Sequence, residues 1–362
     1  MEIALLGLPK SGKTTIFNAL TGSTAATSAF ASGKAEPNIA IVKVPDERVG
    51  KLSEMYTPKK TTYATVKYVD VAGIGGDGSE HGVPEALLQH VGKSDALIAV
   101  VRGFSDDMQG APNPVSDAES IHMEMVFSDM AKVENRLARI DKSIGKITGR
   151  EKDMMVHEKD ALEKIKPALE SNLPVRSVEL SEEEGKSIRG FQFLTAKPTL
   201  YIVNVGEDGM ADGPSLAAKV REAVGGYPGT MAEWFAGEVE MEIARLDGDD
   251  RTMFLSEYGL ESPAGERMIR LSYDLLGYIS FLTAGADEVR AWTIIKGSSA
   301  PQAAGVIHSD FERGFIRAEV IGFDCLMEYN GFANAKKAGK VRLEGKSYIM
   351  SDGDVVNFLF SV

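Results

Sequence analysis

The residues with the clearest chemical potential stand near the start of the chain, at positions 7–14. Their sequence, GLPKSGKT, matches the phosphate-binding pattern G-x-x-x-x-G-K-[ST] at every position. In such a loop, glycines permit close backbone approach, and main-chain N–H groups converge on phosphate oxygens. Lys13 then supplies a cation to the β- and γ-phosphates as a catalytic residue, while the Thr14 hydroxyl ligates Mg²⁺. The predicted nucleotide-binding residues of this loop are Pro9, Lys10, Ser11, Gly12, Lys13, Thr14 and Thr15.

A second candidate group, Asp70 and Gly73 in a D-x-x-G step, follows a stretch at positions 62–69 that is predicted to form a single strand. An acidic residue at the carboxyl end of a strand is what a P-loop protein needs as its second Mg²⁺ contact, so Thr14 and Asp70 are the predicted metal ligands. The Gly73 N–H is predicted to sense the γ-phosphate and to release the following loop after hydrolysis. An Asp before a turn is common in proteins, so the D-x-x-G step alone would not predict a metal site. It supports one here because it follows a phosphate-binding loop in the same domain.

A third group, Asn204, Val205 and Glu207, follows a buried strand pattern where a P-loop GTPase carries N-K-x-D for the base. The Asp of that pattern accepts two hydrogen bonds from guanine. Glu207 is one methylene longer, and Val205 replaces the usual Lys. Discrimination through paired polar groups is sensitive to such changes, so strict guanine selection is not expected. Gly237 is predicted to offer a backbone N–H to the purine. The alternative is an Asn turn that merely ends a strand.

The elements that must position these residues follow from short apolar runs that alternate with helical patterns. Residues 3–6, 97–101 and 200–204 have the composition of strands buried on both faces of a parallel sheet. A doubly wound α/β domain is therefore predicted over residues 1–116 and 175–278. From position 279 the mixture of short strands and a helix predicts a small α+β module over residues 279–362.

Residues 117–174 are predicted to form a helical insertion in the first domain. Apolar residues spaced 4-3-4-3 precede a Thr-Gly break, and a second apolar series follows it, which predicts an antiparallel coiled-coil hairpin. The seam consists of Val133, Leu137, Ile140, Ile144 and Ile147, then Met155, Leu162, Ile165 and Leu169. The outbound arm and its tip are basic, through Lys132, Arg136, Arg139, Lys142, Lys146, Arg150 and Lys152. Two interpretations stay open: a solvated face, or an arm that docks on nucleic acid or a ribosomal surface.

Composition restricts the class of protein. The 362 residues carry a formal net charge of −13, which argues against broad nonspecific nucleic-acid binding. No apolar run approaches the length of a membrane span, and Met1 leads directly into the first strand, without room for a signal peptide. The single Cys325 is compatible with a reducing compartment. A cytoplasmic monomer with no membrane association is expected.

With these motifs in place, the chain resembles the YchF/Obg-like ATPase family of P-loop NTPases. The resemblance rests on GLPKSGKTTIFNALTG, NPVSDAESI, TAKPTLYIVNVGED and a long C-terminal stretch that begins FLTAGADEVRAW and ends SYIMSDGDVVNFLF. It implies a doubly wound P-loop domain with an inserted coiled-coil arm and a C-terminal β-grasp domain of the TGS type. It also implies slow hydrolysis of ATP with GTP as a second substrate, Mg²⁺ as cofactor, and association with the ribosome or ribosomal RNA.

Four positions depart from the family pattern. Lys10 stands where members usually carry an Asn that helps to hold a monovalent cation; its ammonium group either replaces that cation, which makes hydrolysis independent of K⁺, or faces solvent. Lys34 stands in place of the first-switch Thr, so a hydroxyl contact to Mg²⁺ is missing unless Ser32 supplies it. Ala236 and Gly237 stand where the family has Ser-Ala, and this correspondence predicts that both contact the nucleotide. The replacement of Ser-Ala by Ala-Gly predicts a looser base pocket. No evident general base is present, and slow turnover is predicted.

The expected function is a ribosome-associated nucleotide switch that hydrolyses ATP slowly and in preference to GTP. The alternative is a nucleotide-binding scaffold with negligible hydrolysis, which recruits partners through the arm and the TGS module; the missing switch Thr favours it. A small-molecule kinase would need an acceptor pocket and a lid with arginines, and the sequence indicates neither.

Overall fold

The computed structural model describes residues 1–22, 37–71, 88, 90–106 and 110–361. The chain divides into two compact units, one of Met1–Val42 with Lys67–Leu275 and one of Lys43–Val66 with Leu276–Val362. The strands of the described residues are β1 (Glu2–Gly7), β2 (Asn38–Lys43), β3 (Lys60–Thr62), β4 (Thr65–Asp70), β5 (Ala96–Arg102), β6 (Thr199–Asn204), β7 (Thr230–Phe235), β8 (Tyr278–Ala284), β9 (Glu288–Ile295), β10 (Phe315–Gly322), β11 (Arg342–Glu344) and β12 (Asp354–Phe360).

The α-helices are numbered in the same way. They are α1 (Lys13–Thr21), α2 (Glu47–Tyr56), α3 (Pro114–Ser143), α4 (Arg150–Glu170), α5 (Glu182–Ile188), α6 (Gly213–Val224), α7 (Gly237–Ile243), α8 (Gly248–Glu257), α9 (Ala264–Leu276), α10 (Ala300–Ile307), α11 (Ser309–Arg313), α12 (Phe323–Glu328) and α13 (Phe332–Lys337). Within the described parts of the chain, no helix combines the length and the apolar character needed to cross a membrane.

The first unit is built on a sheet with the strand order β2-β4-β1-β5-β6-β7. From β4 to β7 every neighbouring pair is parallel. All residues of β5 and β6 are buried, as expected when helices cover both faces of a parallel sheet. This arrangement confirms the predicted doubly wound α/β class. The parallel strands end at one edge of the sheet, where ligands bind in open α/β folds.

The inserted hairpin consists of α3 and α4. Pro114 begins α3 at a position that needs no N–H, and the Asn113 side chain caps the helix by accepting from the Ser116 N–H. The two helices run antiparallel: Arg136 pairs with Glu158, and nearer the tip Ser143 donates to the Met155 sulfur. Most of the predicted seam is buried or partly buried in one cluster, and Ile147 is the exception, since it follows the end of the outbound helix.

Asp129 anchors the base of this hairpin to the segment that precedes β6. The carboxylate is fully buried and accepts hydrogen bonds from the Leu194 N–H (2.9 Å), the Thr195 N–H (2.7 Å) and the Thr195 hydroxyl (2.7 Å). Burial nevertheless raises the pKa of Asp129, and the Thr195 N–H opposes that shift. The segment that Asp129 holds leads directly into β6, the strand that ends at Asn204.

The second unit has a mixed sheet with the order β11-β10-β12-β8-β9-β3. The hairpin β8–β9 and the pair β10–β12 are antiparallel, β12 lies parallel to β8, and helix α10 packs its alanines into the core. This β-grasp arrangement confirms the predicted class of the C-terminal module.

Residues 43–66 differ from the prediction, which assigned them to the first domain. The stretch 62–69, predicted as a single strand, contains the end of β3 and most of β4, and these strands belong to different sheets. β3 extends the second sheet because Lys60–Thr62 pair in parallel with Glu288–Arg290 of β9, and the Thr62 hydroxyl donates to Glu288 at 2.6 Å. A β-strand pattern in the sequence predicts that residues form a strand, but it does not predict which strand they will pair with.

Candidate nucleotide site

The predicted phosphate loop connects the end of β1 to the start of α1. Gly12 has φ +78°, and a Cβ there would lie 2.1 Å from the Asn204 Nδ2. A Cβ on Gly7 would lie 2.9 Å from the carbonyl oxygen of Val100. Both positions therefore need glycine for close packing, and at Gly12 also for the left-handed backbone.

Lys10 also has a left-handed backbone, with φ 62°. Glycine and asparagine adopt this conformation more readily than lysine. The loop thus keeps a backbone shape suited to the Asn that the resemblance predicts here, although the residue is lysine.

Asp70 is the centre of a buried polar cluster at the end of β4. It is fully buried and accepts hydrogen bonds from the Lys13 ammonium group, the Thr14 hydroxyl (3.1 Å) and the Asn38 amide (3.2 Å). Burial lowers the pKa of Lys13, against the opposing effect of the Asp70 charge. The structure therefore brings together the three residues that the two motifs predicted, Lys13, Thr14 and Asp70, and adds Asn38.

The two predicted metal ligands fit a Mg²⁺ ion. Adjacent ligands in an octahedron with Mg–O distances of about 2.1 Å lie about 3 Å apart, and the Thr14 hydroxyl oxygen lies 3.1 Å from Asp70 Oδ2. Among the described residues, no group of three or more His, Cys, Asp or Glu side chains forms a separate metal cage. Two protein oxygens suit an ion whose remaining ligands are water and phosphate.

Asn204, at the end of β6, braces the phosphate loop. Its amide nitrogen donates to the Ser11 carbonyl at 3.1 Å, and its amide oxygen accepts from the Gly237 N–H at 3.0 Å. The side chain is buried, and a Cβ on Gly237 would lie 2.5 Å from that amide oxygen. Asn204 therefore connects the phosphate loop to the first residue of α7.

The predicted purine turn, Ala236 and Gly237, has its N–H groups already engaged. The Ala236 N–H donates to Glu240 at 3.0 Å, and the Gly237 N–H donates to Asn204. A purine edge would reach the Gly237 N–H only by taking the place of the Asn204 oxygen. Sequence could not show this competition, since the partners are 33 residues apart.

The two remaining base-pocket residues lie in different environments. Val205 is 1% exposed and packs in the hydrophobic core, so its side chain has no surface to offer a base. Glu207 is exposed and accepts a hydrogen bond from the Tyr258 hydroxyl at 3.1 Å, and this bond raises the pKa of Tyr258. Glu207, Glu238 and Tyr258 line a cavity of about 400 Å³ beside α7.

Several predicted or relevant positions fall elsewhere. Gly73, Lys34 and Ser32 lie outside the described residues. Sequence reasoning missed Asn38 and Phe104; the Phe104 ring has an atom 3.5 Å from where a Cβ on Gly12 would lie. Phe104 comes two residues after β5, at the edge of the sheet where the parallel strands end. That position could have identified it as a candidate site residue from the sequence.

Comparisons with known proteins agree with this geometry. The model described as "MMR_HSR1: 50S ribosome-binding GTPase" matches residues 2–159, and the model described as "YchF-GTPase_C: Protein of unknown function (DUF933)" matches residues 278–361. The "Ribosome-binding ATPase YchF" of Bacillus subtilis (strain 168) is 44% identical, and the protein of the same name from Escherichia coli O157:H7 is 43% identical. The alignments cover 100% of this chain and 100% and 99% of those proteins, respectively.

A solved structure supports the same relationship. The Schizosaccharomyces pombe YchF GTPase superposes with a TM-score of 0.81 at 31% identity, over 99% of this chain and 97% of that one. Full-length similarity of both sequence and fold confirms the resemblance that the motifs indicated: the chain belongs to the YchF family of P-loop nucleotide-binding proteins.

Proposed function

We propose that this protein is a Mg²⁺-dependent nucleoside triphosphatase that hydrolyses ATP slowly, in preference to GTP, and acts as a ribosome-associated switch in the cytoplasm. The observation that carries the proposal is the cluster of Lys13, Thr14 and Asp70 beside a glycine loop at one edge of the sheet. When bound, Mg²⁺ would neutralise developing charge on the phosphate oxygens.

The chain's own residues would act mainly by binding and positioning. Lys13 lies in a buried site, where its charge acts on a phosphate more strongly than it would in water. The loop N–H groups and Lys13 together would stabilise the transferred phosphoryl group. Asp70 is engaged by Lys13, Thr14 and Asn38. Because catalysis would rest on Mg²⁺, Lys13 and backbone N–H groups, turnover is expected to be slow.

The preference for ATP is supported by the state of the base pocket and by the names of the relatives. Val205 is withdrawn into the core, and Glu207 is shared with Tyr258, so the arrangement expected for strict guanine selection is weakened. The bacterial relatives are named ATPases, although the matching family model is named for a GTPase.

Ribosome association is proposed for the hairpin tip. Arg139, Lys142, Lys146, Arg150 and Lys152 are exposed there, whereas Arg136, nearer the base, is paired with Glu158. A local basic surface on a chain of net charge −13 concentrates attraction for a polyanion at one end of the arm. The relatives' name, ribosome-binding ATPase, supports this partner. We also propose that the protein acts as a monomer.

A steady-state phosphate-release assay tests the enzymatic proposal. We expect Mg²⁺-dependent release that is faster with ATP than with GTP and is lost in Lys13→Ala, while Lys93→Ala, an exposed lysine of the same unit, keeps the wild-type rate. Equal release by the wild type and Lys13→Ala would instead favour the scaffold alternative.

Co-sedimentation with purified ribosomes tests the docking proposal. The triple variant Arg139→Glu, Lys142→Glu, Lys146→Glu is expected to lose pelleting while it retains ATP hydrolysis. A triple variant that pellets like the wild type would refute docking through the arm.

A further inference from the structure

A buried ion pair lies behind the turn that joins β7 to α7. Arg267, from α9, donates to Glu240 at 3.0 Å, and the side chains are 16% and 1% exposed. Burial raises the pKa of Glu240, and the Arg267 charge opposes that shift. Such a pair costs desolvation free energy and adds little net stability relative to apolar packing. Its contribution is therefore better sought in the backbone groups that its two side chains hold.

The pair holds three consecutive residues, the last two of β7 and Ala236 of the turn. Glu240 accepts from the Ala236 N–H at 3.0 Å, and Arg267 donates to the Trp234 carbonyl at 2.9 Å. The guanidinium carbon lies 4.3 Å from the ring centroid of Phe235, within the range of a cation–π contact. The backbone that leads to Gly237 is therefore fixed from one side by two charged groups.

The turn has little freedom on its other side. A Cβ on Gly237 would lie 2.9 Å from the Ile16 Cδ1, so α7 approaches α1 closely. The Gly237 N–H also contacts Asn204, which in turn contacts the Ser11 carbonyl of the phosphate loop. A shift of the turn would thus displace the Gly237 N–H, the group that is predicted to face the purine.

We propose that Glu240 and Arg267 are positioning residues for the purine: they hold the turn at Trp234–Gly237 so that a base fits against it, without touching the nucleotide. The inference rests on the proposed function, since it assumes that this turn faces the base. It predicts that the pair matters for the base and not for the phosphates.

The test compares ATP with inorganic tripolyphosphate, which carries the phosphates without the base. Calorimetric titrations in Mg²⁺ would use Glu240→Gln and Arg267→Gln, with Glu266→Gln as the matched control, an exposed Glu next to Arg267 on α9. We expect each of the first two variants to weaken ATP binding by about tenfold, the scale of one lost hydrogen bond. Tripolyphosphate binding should change by less than about twofold, KM for ATP should rise, and kcat should hold.

Three outcomes overturn the proposal. In the first, both variants bind ATP as the wild type does. In the second, ATP and tripolyphosphate are weakened equally, which would indicate a general structural role. In the third, Glu266→Gln has the same effect. A wild type that binds neither probe would refute the proposed function itself.

If a single variant fails to fold, the double variant Glu240→Met, Arg267→Leu supplies an apolar replacement that buried pairs tolerate. It is expected to fold and still to lose ATP affinity selectively.

Discussion

Replacement of Asn204 by alanine is the most direct test of how the site is assembled. The side chain is 3% exposed and makes two contacts with main chain, to the Ser11 carbonyl and to the Gly237 N–H. Alanine removes both contacts and leaves two polar groups of the backbone without a partner in a buried place.

The expected magnitude follows from those two groups. A buried donor or acceptor that loses its partner costs about 1–3 kcal/mol. Two such groups give roughly 2–6 kcal/mol, and partial access of water to the vacated space brings the expectation to about 3 kcal/mol. With a urea m-value of about 2.5 kcal/mol/M, the unfolding midpoint should fall by roughly 1 M.

The chain offers a convenient probe for this measurement. It contains two tryptophans, Trp234 in the first unit and Trp292 in the second. In a Trp292→Phe background, fluorescence follows unfolding of the unit that holds Asn204. The control is Asn113→Ala, which removes one exposed helix cap and should cost about 1 kcal/mol. If Asn204→Ala loses no more stability than this control, the bracing role assigned to Asn204 is wrong.

Three further predictions concern the loop, the arm and the metal. Gly12→Ala places a Cβ 2.1 Å from an amide nitrogen and should weaken ATP binding by at least about tenfold in calorimetry. The control is Gly110→Ala, which should bind ATP normally, because Gly110 has a similar φ of +68° but no atom within 4 Å of the added Cβ. Equal binding by the two variants would contradict the argument from packing. Asp129→Ala removes three hydrogen bonds and should lower the free energy of unfolding, measured by urea titration, by about 3 kcal/mol. The control Asp141→Ala removes an exposed ion-pair partner and should cost less than about 1 kcal/mol. Similar losses in the two variants would refute the anchoring role. Thr14→Val should weaken ATP binding in Mg²⁺ and leave binding in EDTA nearly unchanged, and an equal loss in both buffers would exclude the hydroxyl as a metal ligand.

The sequence determined those features that depend on neighbouring residues. The loop at 7–14 is recognisable because its glycines, lysine and threonine act within one short turn, and the structure places the strand and helix around it as predicted. The hairpin is predictable for a similar reason, since apolar periodicity along each helix produces the seam. Because the similarity to YchF relatives covers the full length of the chain, the sequence also determined the family.

Tertiary structure decided the contacts between distant segments. Residues 60–62 could extend either sheet by their pattern, and their pairing with β9 is visible only in the folded chain. Asn38 meets Asp70 across 32 positions, and Arg267 meets Glu240 across 27. Periodicity specifies which face of an element is apolar, but the partner of a polar group depends on long-range packing. The contacts of Asn204 with the phosphate loop and the Glu240–Arg267 ion pair therefore became visible only in the structure.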